Sequence, residues 1–399
     1  MNVLFLTTGR MGHIEDHAIY PDLLRQFRDH GHHVYHVSTY EKRVGKETVF
    51  TEENGTYALR VRIGNLTKVN VIEKGISTLM IERQYLAAVR KYLSDVKFDL
   101  VLYSTPPITL VKVIRYIQKR DGARTYLLLK DIFPQNAVDL GMMTKSGLKG
   151  MLYRYFRAKE RKLYAISDRI GCMSQANVDY VLRHNPEVPP GKVEICPNCI
   201  EVQDVSITPE QRCELRAKYG IPQDKKVFVY GGNLGKPQGI PFIIECLRRL
   251  KDHPEAYFLI VGDGTEFGKL QAFMEAERPQ NMLLLKRLPK EDYDRMIPAC
   301  DVGLIFLDHR FTIPNFPSRL LPYMQAGLPV LAATDPNSDI GQVITEGGFG
   351  WWCESNDARA FADRVEEALM PGAEAKGKAA LRYLPAHFSV QTGYQTIMR

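Results

Sequence analysis

The chain has 399 residues, 45% hydrophobic and 25% charged, which suits two α/β cores and excludes a disordered polypeptide. No apolar run reaches 18 residues, so a membrane-spanning helix is not the organising element. The net charge of +7 admits nucleotides, anionic lipid or nucleic acid as partners, and the odd count of seven cysteines argues for free thiols rather than a disulfide framework.

Taken in order, Val3 to Thr7 reads as a buried first strand of a cytoplasmic protein, since neither a basic lead nor a small-residue cleavage site accompanies it. The turn Gly9-Arg10-Met11-Gly12, a helix carrying Leu23, Leu24 and Phe27, then Gly31 and a strand Val34 to Ser38 make a βαβ unit. Such a unit places ligands at the C-terminal ends of parallel strands. The turn is not the GxGxxG fingerprint, so no NAD site is inferred. Residues 41–75 are charged and β-prone without a period and read as irregular strands and loops.

Helical spacing follows over 77–95, at Leu79, Tyr85, Leu86, Val89 and Leu93. A strand Asp99 to Ser104, a helix 108–120 and a strand Arg124 to Lys130 come next. That last strand delivers Asp131, either to the ligand edge of a parallel sheet or as a helix cap before Pro134. Lys145 to Tyr164 hold seven Lys/Arg and one Glu, interleaved with Leu148, Met151, Leu152, Tyr155 and Phe156. Such a helix can lie on anionic lipid, or can pack its apolar face on the domain. No nucleic-acid recognition motif accompanies it. Strand Arg169 to Met173, a helix from Gln175 capped by Ser174, and strand Lys192 to Cys196 finish the first series. Cys196-Pro-Asn-Cys199 reads as a strand end with two incidental thiols, and the polar residues 201–224 as a linker.

A second series begins with strand Val227 to Tyr230 and the glycine-rich turn Gly231-Gly232-Asn233-Leu234-Gly235-Lys236 before a helix Pro241 to Lys251. Strand Tyr257 to Val261 ends in Gly262-Asp263-Gly264. Strand Met282 to Leu285 leads to Arg287 and a helix Glu291 to Cys300, and strand Asp301 to Phe306 feeds the stretch 311–333. There Ser318 stands at an N-cap position, Arg319 to Ala326 make about two turns, Gly327 stops them, and Val330 to Ala333 is a strand. The start of that helix with Arg319 suits a diphosphate, or is an ordinary cap beside a solvated arginine. Trp351-Trp352-Cys353, an amphipathic helix at 357–370 and a terminal helix close the chain.

Several of these motifs carry a family resemblance. Gly232-Asn-Leu-Gly-Lys-Pro-Gln-Gly239, Val261-Gly-Asp-Gly264, Pro289-Lys-Glu-Asp292, Asp301-Val-Gly-Leu304 and Pro317-Ser-Arg-Leu320 with Tyr323-Met-Gln-Ala-Gly-Leu-Pro-Val330 resemble retaining glycosyltransferases of family 4. Gly31-His-His-Val34, Asp131-Ile-Phe-Pro134 and Lys192 to Asn198 agree, and Asp131 and Pro317-Ser-Arg look most like bacterial members that extend surface glycans on a lipid carrier. The resemblance implies an α/β chain of GT-B fold, two Rossmann-like domains with a cleft between them. The expected limits are 1–200 for the acceptor side, 201–224 for the linker and 225–375 for the nucleotide-sugar domain. Residues 376–399 would form a C-terminal helix returning toward the first domain.

It further implies a nucleotide-sugar donor, UDP-linked, and a lipid-linked or glycan acceptor, with neither cofactor nor metal. Gly232, Asn233, Gly235 and Lys236 would hold the diphosphate with Ser318 and Arg319. Gly262 and Gly264 would border the donor, and Arg287 would lie by the base. Gly12 would lie against the sugar, with His13 and Asp131 orienting the acceptor, and the basic segment would keep the protein at the inner face of the membrane. Two departures stand out. The family's paired glutamates fall on Pro314 and Pro322, and the Arg and Lys of its first diphosphate loop fall on Asn233 and Gln238. They leave a scaffold protein without turnover, or a sugar-nucleotide epimerase, as rival readings.

Overall fold

The structure, a computed structural model, describes residues 1–9, 11–66 and 71–399, and only the backbone of 71–76, 148 and 149. Arg10 of the first turn and the side chains of Leu148 and Lys149 in the basic segment lie outside the described residues. The chain divides into two compact units, Met1–Glu201 with Val390–Arg399, and Val202–Ser389.

The first unit is built on eight strands: β1 (Asn2–Leu6), β2 (His33–Glu41), β3 (Val49–Glu53), β4 (Thr56–Ile63), β5 (Leu100–Ser104), β6 (Arg124–Leu129), β7 (Arg169–Cys172) and β8 (Val193–Ile195). Their order is β3-β4-β2-β1-β5-β6-β7-β8, parallel except for the edge pair β3 and β4. Both faces are covered. Leu4, Leu6, Val101 and Tyr103 point to one core and Val3, Phe5, Leu100 and Leu102 to the other, which explains why these strands read as continuous apolar runs.

The second unit has six parallel strands: β9 (Lys226–Asn233), β10 (Ala256–Asp263), β11 (Met282–Lys286), β12 (Val302–Phe306), β13 (Val330–Thr334) and β14 (Gly350–Glu354). They are ordered β11-β10-β9-β12-β13-β14. Each sheet reverses its winding once, at β1/β5 and at β9/β12, and open α/β sheets bind ligands at the strand C-termini beside such a point.

Three expectations change. Residues 41–75, where described, are not irregular: they hold β3, β4 and the start of a helix Val71–Tyr92, and in β4 Arg60 and Arg62, which pair with Glu53 and Glu47, alternate with buried Leu59, Val61 and Ile63. The linker segment holds a helix, Pro209–Lys218, opened by a capping box in which Thr208 and Gln211 satisfy each other's backbone N–H. The terminal helix is two helices: Glu374–Phe388 stays with the second unit, and Val390–Met398 belongs to the first. There Tyr394 packs edge-on against Phe27 at 4.9 Å and its hydroxyl meets His32 Nε2 at 2.9 Å. All seven cysteines are free, six of them buried.

Candidate active site

In the second unit β9 runs on through Gly231 and Gly232 to Asn233, so these glycines belong to the strand and not to the turn after it. The register sets Gly232 opposite Gly262 and Asn233 opposite Asp263. A Cβ at Gly262 would overlap the Gly232 carbonyl, one at Gly264 would overlap the Leu234 backbone, and Gly232 has φ +138. Only glycine lets two strand ends come this close. Together they wall a cavity of about 460 Å³, lined also by Asn233, Asp263, Arg287, Lys290 and Tyr293.

Arg319 stands beside this cavity. Its Nη1 donates to the Gly231 carbonyl at 3.2 Å, its guanidinium lies 4.4 Å from the Tyr230 ring centre, and both terminal nitrogens lie about 3.4 Å from where a Cβ of Gly232 would be. Among the described residues no carboxylate forms an ion pair with it, whereas Arg310 is paired with Asp308 at 2.7 Å. A half-buried guanidinium with much of its fork unused and no counter-ion can receive an anion.

Other expected donor residues are used differently. Ser318 caps nothing: the helix is Leu320–Gln325, with Arg319 in the N-cap position and no side-chain cap. Pro322 falls in its first turn, where its missing N–H removes no helical hydrogen bond. Gly235 N–H is taken by Gln238 Oε1 at 3.2 Å, and Gly264 N–H by Asp263 at 2.8 Å. Lys236 is exposed on a short turn and does not line the cavity. The loop ahead of Arg319 is fixed by buried Asp335, which accepts from Ser338 Oγ at 2.9 Å, while Ser338 Oγ accepts from Asn315 N.

The first unit carries a separate polar centre at the end of β6. Thr105 Oγ1 accepts the N–H of Lys130 at 3.0 Å and of Asp131 at 3.3 Å, and donates to the Asp131 carbonyl. Asn136 Nδ2 donates to both Asp131 oxygens at 2.9 and 2.8 Å. Burial pushes the Asp131 carboxyl up to about 6 against the pull of the Ile132 N–H and Asn136. The cap reading fails, since the helix Gln135–Asp139 has Pro134 at its N-cap.

His13 is exposed, with Nδ1 at 2.9 Å from Glu53, and Glu53 also pairs with Arg60 at 2.6 Å. Gly12 gives its carbonyl to Arg60 and is kept small by Asp16, whose carboxylate would overlap a Cβ there. One trio able to ligate a metal, His17, Asp22 and Glu201, is found among the described residues. Arg25 bonds both of its carboxylates, at 2.7 and 2.8 Å, so the trio reads as an ion-pair network tying Glu201 to the first helix.

Comparison with known proteins bears on the second unit directly. Residues 211–376 match the model of the family described as glycosyl transferases group 1. The chain carries a group 1 glycosyltransferase domain. It is 26% identical over 302 residues to a probable glycosyltransferase, WbjE, of Pseudomonas aeruginosa, covering 75% of this chain and 73% of that one. It is 24% identical over 279 residues to WcaI of Escherichia coli K12, a putative colanic acid biosynthesis glycosyl transferase, covering 69% and 67%. The Anabaena protein Alr3699/HepE, solved in complex with UDP and glucose, superposes with a TM-score of 0.71 at 15% identity, over all of this chain and 98% of that one. That likeness establishes the fold: the chain is of GT-B architecture. Of the residues that line the cavity, sequence reasoning missed Leu288 and Tyr293, although Tyr293 follows directly on Pro289-Lys-Glu-Asp292.

Proposed function

We propose that the protein is a retaining glycosyltransferase that moves a sugar from a UDP-sugar to a lipid-linked or surface-glycan acceptor. The carrying observation is Arg319, an anion receptor without a counter-ion, set against glycines that let a diphosphate approach the backbone. The UDP in the Anabaena structure and the colanic acid name of the WcaI relative support the donor and the acceptor class.

As the bond from the sugar anomeric carbon to the phosphate oxygen breaks, charge develops on the diphosphate, and the Arg319 fork meets it. The acceptor hydroxyl forms the new bond on the same face, and its proton passes to the departing phosphate oxygen. No enzyme nucleophile and no metal enters this scheme. Asp131 and His13 orient the acceptor, and Gly12 leaves room for the sugar. Thermal stabilisation by a panel of UDP-, GDP-, dTDP- and ADP-sugars tests the donor class. Stabilisation by UDP-sugars supports it. Binding without transfer to any lipid-linked acceptor would favour the scaffold reading that Pro314 and Pro322 suggest.

Asp131 gives a pH dependence. An acceptor hydroxyl donates to the carboxylate, so transfer rises as pH increases through about 6. Asp131→Asn is expected to lose that limb of the kcat/KM profile and about 10- to 100-fold in kcat. The sign for stability is opposite. Folding favours protonated Asp131, a contribution fully present below the unfolded value of about 4 and lost as pH rises through about 6.

The helix Gly147–Ile166 supplies the membrane contact in this reading. Its packed side is Glu160, Leu163, Tyr164 and Ile166, so Met151, Leu152 and Tyr155 are left exposed beside Arg154 and Lys162. Arg157 is engaged internally, with Glu160 at 2.7 Å and Asn185 at 2.7 Å, and is a poor probe of lipid binding. Arg154→Glu with Lys162→Glu and Leu152→Asp is expected to cut sedimentation with anionic phosphatidylglycerol vesicles about tenfold or more. Unchanged sedimentation would remove this helix from the membrane contact. No helix among the described residues is long and apolar enough to cross a membrane.

A further inference from the structure

Tyr293, on the helix Lys290–Met296, lines the cavity with its ring against Gly231. A Cβ at Gly231 would overlap the phenol, so this tyrosine is admitted only because residue 231 is glycine. Its hydroxyl oxygen is buried and makes no hydrogen bond. The neighbouring phenol, Tyr323, already accepts Gly231 N–H at 3.2 Å and occupies the space over Gly303. The two phenols lie close enough for Tyr293 to lean its proton toward the Tyr323 oxygen, but not at the distance and angle of a hydrogen bond. Burial holds the Tyr293 phenol protonated, so its donor has no acceptor at hydrogen-bonding geometry.

A buried hydroxyl without a partner destabilises a fold that phenylalanine would serve as well, and a glycine inside a strand destabilises it again. Both penalties fall on the wall of one cavity, where the Arg319 guanidinium borders the next glycine along. Resting on the donor reading above, we infer that Tyr293 is a donor-binding residue whose hydroxyl donates to a phosphate oxygen of a nucleoside diphosphate lying over Gly231 and Gly232.

Calorimetric titration of the full chain with UDP tests this with Tyr293→Phe, which removes one oxygen. The expected result is a dissociation constant raised about tenfold, with the melting temperature of the ligand-free protein at or above wild type. Unchanged affinity overturns the inference and leaves the donor site standing. A lowered ligand-free melting temperature also overturns it, because the hydroxyl would then serve the fold. Uridine provides a second arm: weaker uridine binding in the variant would put the contact on the nucleoside and overturn the phosphate assignment. A wild-type protein that does not bind UDP overturns the donor reading and this inference together.

Discussion

Arg319→Ala is expected to lower kcat/KM for glycosyl transfer by about 10²- to 10³-fold, the loss found when one fixed donor to developing charge is removed. It also abolishes the thermal stabilisation that a UDP-sugar gives. The side chain is half-buried, holds one backbone carbonyl and covers the face of Tyr230, so its loss leaves a void but no stranded charge. Far-UV circular dichroism and the ligand-free melting temperature should therefore change little. Arg319→Lys restores a point charge without the planar fork and is expected to fall between the two. A variant that keeps wild-type kcat/KM would remove Arg319 from the donor site, and with it the main support for a diphosphate over Gly232.

The largest effect on stability is expected at Arg216. It is 2% exposed, and its guanidinium donates to the carbonyls of Ala299, Pro222, Gln223 and Lys225 and to Asp301 at 2.6 Å. Alanine there leaves buried carbonyl oxygens without donors and half of the Asp301 clamp gone. Arg212 stays on Asp301 at 2.6 Å, which keeps that carboxylate from being fully unpaired, so about 3–4 kcal/mol is expected. The melting transition of the second unit should then fall by roughly 10 °C. Arg212→Ala, at a more exposed partner, should cost about 1 kcal/mol or less. Equal melting temperatures for the two variants would contradict this account.

Arg216 also shows why residues 201–224 were illegible as structure. A helix is found in sequence by apolar residues every third or fourth position, and here the inward position is filled by an arginine whose guanidinium makes five hydrogen bonds, to four backbone carbonyls and one carboxylate. Composition marks such a residue as surface. β4 was missed for another reason: Arg60 and Arg62, paired with glutamates of the neighbouring β3 and the loop before it, do alternate with buried Leu59, Val61 and Ile63, but Ala58 and Leu59 are buried side by side and cut the period short. The parallel strands were legible because both faces are buried, and no polar residue interrupts Val3 to Leu6 or Leu100 to Tyr103.

At the site, the glycines were legible as glycines, but their use was not. Whether an N–H is free depends on side chains three residues or one residue away, as Gln238 and Asp263 show by taking those of Gly235 and Gly264. Ser318 had a cap's identity without a cap's position. Tyr293 gave no signal at all, because the space that admits it is the missing side chain of Gly231, more than sixty positions earlier in the chain.

The second unit is an insertion between Glu201 and Val390, and the first unit is closed by its last ten residues. Ribosomal synthesis usually lets an N-terminal domain settle first. Here that order is inverted. While residues 202–389 emerge and can complete their own sheet, the face of Phe27 and His32 waits for Tyr394, and Cys199 waits for Gly393, which approaches its sulfur too closely for a Cβ. The unit that begins the chain is thus the last to finish.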